Sequence, residues 1–119
     1  IKIKNWLPPL NSIEKRLDPQ GEWAKWSNRE LGKRYQDLFS LIDLLIMIRL
    51  PSMEHVYESR WIQEKTLKKL NKGEKVLSKI KINEFVMHFE RLTRHMFKTL
   101  PSYADLIIER DLDFNYVIK

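Results

Sequence analysis

Residues 27–52 read SNRELGKRYQDLFSLIDLLIMIRLPS, the only stretch of the chain apolar enough to occupy the middle of a core. Ser27 followed by Glu30 is a capping box, in which hydroxyl and carboxylate satisfy amides that a helix start leaves open, so the pattern predicts a helix beginning near Asn28. Arg29, Lys33, Gln36, Ser40 and Asp43 recur at steps of three and four, which leaves Tyr35, Leu38, Phe39, Leu41, Ile42, Leu45 and Ile46 on the other face. From Leu44 to Ile48 the apolar residues go all the way round. The expectation is a central helix running to Leu50 and buried on several sides. The thirteen residues 38–50 include Asp43 and Arg49, and are too short and too charged to cross a bilayer, which needs roughly 20 apolar residues. Pro51 forces the stop, because it lacks an amide proton and restricts Leu50 to extended conformations.

Fifty residues on, a similar pattern returns. That offset sets Tyr35 over Phe85, Phe39 over Phe89, Ile42 over Leu92, Ile46 over Met96 and Leu50 over Leu100, and then Pro51 and Ser52 over Pro101 and Ser102. In each copy a long helix would end at Leu-Pro-Ser, and the serine would cap a second helix starting near Met53 or Tyr103. Two helical hairpins follow from this, although any two amphipathic helices share a face and two copies fall short of a secure repeat.

A chain of 119 residues is one domain, long enough to bury roughly two-thirds of its unfolded surface unaided. With no cysteine, disulfides, thiolate zinc sites, iron-sulfur clusters and cysteine nucleophiles are excluded. That suits a reducing compartment, nucleus or cytoplasm. Beginning at Ile1 and ending mid-pattern at Lys119, the chain reads as a fragment of a longer protein.

Along the chain, residues 1–4 alternate apolar and basic side chains, as a strand would. A short helix is expected over residues 12–17, with Asn11 capping and Glu14 at its third position, and Asp18, Pro19 and Gly21 turning the chain after it. Trp23 and Trp26, three apart, suit either core packing, with Trp26 stapled onto the first turn of the central helix, or an anchor for a partner protein. A third helix is expected over residues 53–71, stopped by Gly73. A second alternating run ends at Ile82, and Asn83 would cap a helix carrying Phe85, Phe89, Leu92, Met96 and Leu100 inward. After Pro101 a short helix to about Arg110 gives way to a third strand-like run over residues 111–116. The fold class is therefore mainly α: a compact bundle of about five helices built as two hairpins, with a small β-sheet at one edge formed by those three runs, their lysines facing their aspartates.

Charge is the most informative functional feature. Lys65, Lys68, Lys69, Lys72, Lys75, Lys79 and Lys81 lie within seventeen residues against the single acid Glu74, a local excess of +6 that equals the net charge of the whole chain. Such a patch attracts polyanions, of which phosphate backbones are the commonest. Lysines are point charges, without the arginine forks that read base edges or the aromatics that stack unpaired bases, so phosphate contact with low sequence preference is what they support. A solvated helix end, where lysines complement the helix dipole, explains them equally well. An anionic membrane is set aside as a partner because Leu67, Leu70, Val76 and Leu77 are expected to be needed in the core.

Catalytic patterns are sparse. Three glycines, Gly21, Gly32 and Gly73, make no phosphate loop. His88 and His95, seven apart on one helix, stand about 10 Å apart along its axis, too far to hold one ion together, and His55 lacks a third member for a triad. Glu109, Asp111 and Asp113 are the densest carboxylates and would hold magnesium only with further ligands, so the polar face of a strand accounts for them more simply. These features predict a non-enzymatic interaction module of a nucleic-acid-associated assembly, with no cofactor or small-molecule substrate, its lysines on phosphates and its tryptophans on a protein. The alternatives are a purely protein-binding scaffold and, more remotely, a metal-dependent nuclease.

Overall fold

The first helix forms as its caps demand. In the computed structural model, which describes residues 8–70 and 77–118, α1 (Ser12–Leu17) starts at Asn11, whose side-chain oxygen accepts the Glu14 backbone N–H at 3.0 Å. Glu14 in return accepts the Leu10 N–H at 2.8 Å. Asp18 ends α1 and then begins the next element. Its carboxylate accepts the backbone N–H groups of Trp23 and Ala24, at 3.4 and 3.0 Å. Between them Gly21 takes a left-handed conformation, φ 67°, which glycine adopts without a Cβ penalty. These groups start α2 (Glu22–Leu31) five residues before Ser27, so the Ser27–Glu30 box lies inside a helix instead of opening one.

The expected central helix is not formed. α2 stops at Gly32, a poor helix residue, and α3 (Arg34–Phe39) ends at Ser40, whose hydroxyl donates to the Asp37 carbonyl at 2.6 Å. The apolar run then becomes extended as β1 (Ile46–Arg49). A short apolar run bounded by proline fits a strand as well as a buried helix, and β-branched Ile46 and Ile48 favour the strand. What decides it is a partner far along the chain. β1 pairs in parallel with β2 (Leu106–Arg110), Ile46 opposite Leu106 and Arg49 opposite Glu109. The Asp105 carboxylate accepts the Leu45 N–H at 2.8 Å at one end of the ladder, and an Arg49–Glu109 ion pair crosses the other.

The two Leu-Pro-Ser sites diverge for the same reason. After the first, Ser52 Oγ accepts the His55 N–H at 3.4 Å and opens α4 (Met53–Leu70), as expected. After the second, a single 3-10 turn (Leu100–Ser102) leads into β2 where a second helix was expected. The fifty-residue echo thus lays a continuous helix over a segment that is part helix, part loop and part strand, and the two-hairpin layout does not describe this fold. β2 returns antiparallel into β3 (Tyr116–Ile118) to complete the sheet order β1-β2-β3. A small sheet is therefore present, and β3 lies in the stretch DLDFNYVIK that held the third expected run, but β1 and β2 are not among the runs expected. Residues 79–82 are helical, residues 111–115 form the β2–β3 turn, and residues 1–4 lie outside the described residues.

α5 (Lys79–Thr99) begins at Ser78, whose hydroxyl accepts the Lys81 N–H at 3.3 Å, five residues before the Asn83 cap expected. Its buried stripe is Ile82, Val86 and Glu90, joined at the end by Leu100. Phe85 and Phe89, expected inward, are exposed and stack on each other at 5.4 Å. α4 packs antiparallel on α5: the Tyr57 hydroxyl donates to Glu90, the Arg60 guanidinium lies over Phe85, and Glu64 reaches Leu77. Among the described residues the buried apolar side chains are few: Ile13 of α1, Met47 of β1, Met53 of α4, Ile82 and Val86 of α5, and Leu100. The described residues are mainly helical, with five α-helices and a three-stranded sheet.

Candidate functional site

The antiparallel packing of α4 and α5 gathers the lysines. Lys65, Lys68 and Lys69 stand on the last turns of α4 and Lys79 and Lys81 on the first turn of α5, so two segments meet at one end of the helical pair. All five are exposed. Lys72 and Lys75, and the Gly73 stop, lie outside the described residues. A buried carboxylate holds the end together. Glu64, 5 % exposed, accepts the backbone N–H of Leu77 at 2.9 Å through one oxygen and pairs with Arg60 at 3.5 Å through the other. The position of α5's start relative to α4's end therefore rests on a charge-assisted hydrogen bond in a partly dry setting, the stronger kind.

Among the described residues, Lys81 alone of the five has an acid partner, Glu84 at 3.1 Å, and both side chains meet solvent. The Lys81 hydrogen bond, followed by the Lys81 and Arg16 charges, draws the Glu84 carboxyl below its ordinary pKa. Lys65 Nζ sits 5.9 Å from the centre of the Trp61 ring, a cation–π distance. The two lysine-bearing segments thus share one end of the helical pair, and Glu84 is the one acid paired with their ammonium groups among the described residues.

Apolar side chains share this end, which the sequence did not indicate. Leu70 and Ile80 are each 73 % exposed, and Leu67 and Leu77 are exposed as well. Helical spacing shows which side of a helix is apolar; it does not show whether anything packs on that side. These leucines are not core residues, so the ground for setting aside a lipid partner does not hold. Val76 lies outside the described residues.

Trp23 and Trp26 lie on the exposed face of α2, 73 % and 51 % accessible, with ring centroids 6.4 Å apart in an edge-on arrangement. Neither is core, and Trp26 staples no helix start, because α2 has already begun.

Glu109, Asp111, His55 and His88 each have partners within the fold. Glu109 pairs with Arg49. Asp111 accepts the N–H groups of Asp113 and Asn115, at 2.9 and 2.8 Å, to form the turn that holds Phe114 at φ 64°. His55 Nδ1 lies 3.1 Å from Ser52 Oγ with its ring against Phe114, and His88 Nδ1 lies 2.8 Å from the Glu84 carbonyl. Among the described residues no three His, Asp or Glu side chains gather as a metal site would require. A cleft of about 280 Å³ between α1 and α2 is lined by Glu14, Asp18 and Arg91. Its carboxylates are already committed, Glu14 to Arg91 at 2.7 Å and Asp18 to the start of α2. Comparison with known proteins finds no matching family model, no matching curated sequence and no matching solved structure.

Proposed function

We propose that the chain is a non-enzymatic interaction module of a nucleic-acid-associated assembly, working in nucleus or cytoplasm. Lys65, Lys68, Lys69, Lys79 and Lys81 contact the phosphate backbone, and the exposed Trp23–Trp26 pair docks a partner protein. One observation supports this most: two separated lysine segments converge on one end of α4 and α5, with a single acid partner among the described residues. Phosphate contacts position a protein without reading sequence, so the module supplies affinity and register and leaves specificity to its assembly.

Duplex binding measured across a salt series tests it. If each of the five lysines displaces one counterion, log K falls against log salt with a slope near about −4.5. Replacing Lys68, Lys69 and Lys79 by glutamate removes the binding. A flat salt response, or affinity unchanged in that variant, leaves the second reading, a protein-binding scaffold, which the exposure of the tryptophan pair favours independently.

A further inference from the structure

We propose that the lysine-bearing end of α4 and α5 also docks on an anionic phospholipid surface and inserts its apolar side chains shallowly beneath the headgroups. The inference rests on the same lysines as the nucleic-acid reading and adds the four apolar residues that reading leaves unused.

Leu67 and Leu70 at the end of α4 and Leu77 and Ile80 at the start of α5 stand exposed among Lys65, Lys68, Lys69, Lys79 and Lys81. A duplex backbone presents phosphates but no apolar layer for these side chains to enter. An anionic bilayer presents both, a sheet of headgroup phosphates and carboxylates with hydrocarbon just below. Lysine suits that boundary, since its aliphatic stem lies along apolar surface while the ammonium stays at the polar level.

Placement agrees. The lysine end lies at the N-terminus of the 21-residue α5, about 31 Å along the helix axis from the end that leads to the sheet, and α1 meets α5 further along, at Glu84, Met87, Glu90 and Arg91. The Glu64 carboxylate bonded to Leu77 N–H makes the two apolar segments enter as one unit. No helix among the described residues is long and apolar enough to cross a membrane, so the attachment is peripheral.

Co-sedimentation of the full chain with phosphatidylcholine vesicles, with and without phosphatidylserine, tests the proposal, with duplex binding measured on the same samples. The expected result is affinity at least about tenfold higher for the serine-lipid vesicles than for neutral ones. Leu70→Ser combined with Ile80→Ser weakens that affinity by about tenfold or more and leaves duplex binding unchanged, whereas Lys68→Glu, Lys69→Glu and Lys79→Glu together weaken both. Because Leu70 and Ile80 are exposed, the serine variant keeps its circular dichroism spectrum; should it not, the single Ile80→Ser variant replaces it. Equal binding to both vesicle types, or vesicle affinity untouched by the serine substitutions, overturns the insertion. Duplex binding with no vesicle binding overturns the lipid proposal and preserves the nucleic-acid reading. Vesicle binding without duplex binding does the reverse, and binding to neither removes both.

Discussion

Glu90 on α5 and Trp23 on α2 invert the usual placement of their residue types. Glu90 is a carboxylate only 7 % exposed, whereas Trp23 is a large aromatic with 73 % of its surface in solvent. Around Glu90 the fold is tied by specific polar contacts: Asn11 and the Tyr57 hydroxyl donate to one of its oxygens, at 2.9 and 3.2 Å, and Arg94 donates twice to the other. Around Trp23 there is one aromatic neighbour and water. The difference separates what holds this chain together from what it leaves for others. α1, α4 and α5 are fixed by polar networks at few and definite points, while most of its large exposed apolar side chains lie on α2, α3, the segment before β1, the outer sheet face and the lysine end. Exposed apolar surface in several separate places is what the proposed role as an interaction module requires.

The strongest way to break the first half of that contrast is to empty its centre. Glu90→Ala removes the acceptor that Asn11, the Tyr57 hydroxyl and the half-exposed Arg94 share, and breaking a network centred on a buried carboxylate costs about 3 kcal/mol. The melting temperature should fall by more than about 10 °C for a domain of this size, with Glu90→Gln intermediate because its amide oxygen still accepts. A fall of a degree or two would show that apolar packing of Ile82 and Val86 holds α1 and α4 onto α5 without the network. Burial of the Tyr57 ring, then the Glu90 charge and its hydrogen bond, push the Tyr57 hydroxyl up to about 12. The tyrosine thus stays a donor to Glu90 throughout the neutral range.

A second, smaller effect sharpens the same half through pH. Burial raises the Glu14 carboxyl, but the Arg91 hydrogen bond, the Leu10 N–H and the Arg91 charge together hold it below its ordinary value. A carboxylate with a depressed folded pKa contributes stability above its unfolded pKa and loses it as pH falls through the folded one. Unfolding midpoints should therefore fall progressively below about pH 4.3, the unfolded glutamate value. Glu14→Gln should remove about 1 kcal/mol at neutral pH and flatten the acid limb. An acid limb identical in wild type and variant would show that the Glu14–Arg91 pair carries none of that dependence.

Two of the three tied helices, α1 and α4, are also the ones whose starts short-range reading recovers, whereas α5 opens at Ser78 and not at Asn83. α1 and α4 follow from caps within three or four residues of their starts, Asn11 with Glu14 and Ser52 with His55. β1 does not, because the run between Asp43 and Arg49 suits two structures and the choice is made by Leu106, Ile107 and Ile108 sixty residues away. Reading that run as helix carried the central helix to Leu50 and with it the fifty-residue echo and the two hairpins, and the local breaks at Gly32 and Ser40 interrupt the helix before the strand begins. The candidate site divides similarly. Its charge is visible in sequence because seven lysines stand within seventeen residues. The exposure of Leu70, Ile80, Trp23 and Trp26 is not visible, because amphipathic spacing assumes that every apolar face finds a partner in the same chain.

The smallest expected effect bears on the other half of the contrast. Truncating a core tryptophan costs about 3–5 kcal/mol, and Trp23 and Trp26 were candidates for that role. In the structure both are exposed on α2 and meet edge-on. Trp23→Ala and Trp26→Ala, singly or together, should move the unfolding free energy by less than about 0.5 kcal/mol, as surface substitutions do. Alanine's better helix propensity offsets part of the lost edge-on ring contact. Chemical denaturation with a helix-sensitive probe measures this directly. A loss of several kcal/mol would mean that α2 folds back onto the core in solution and that its tryptophans belong with Glu90 among the groups that hold the fold. A negligible loss leaves two large aromatic rings in water with no structural role, and retaining them then makes physical sense only as binding surface.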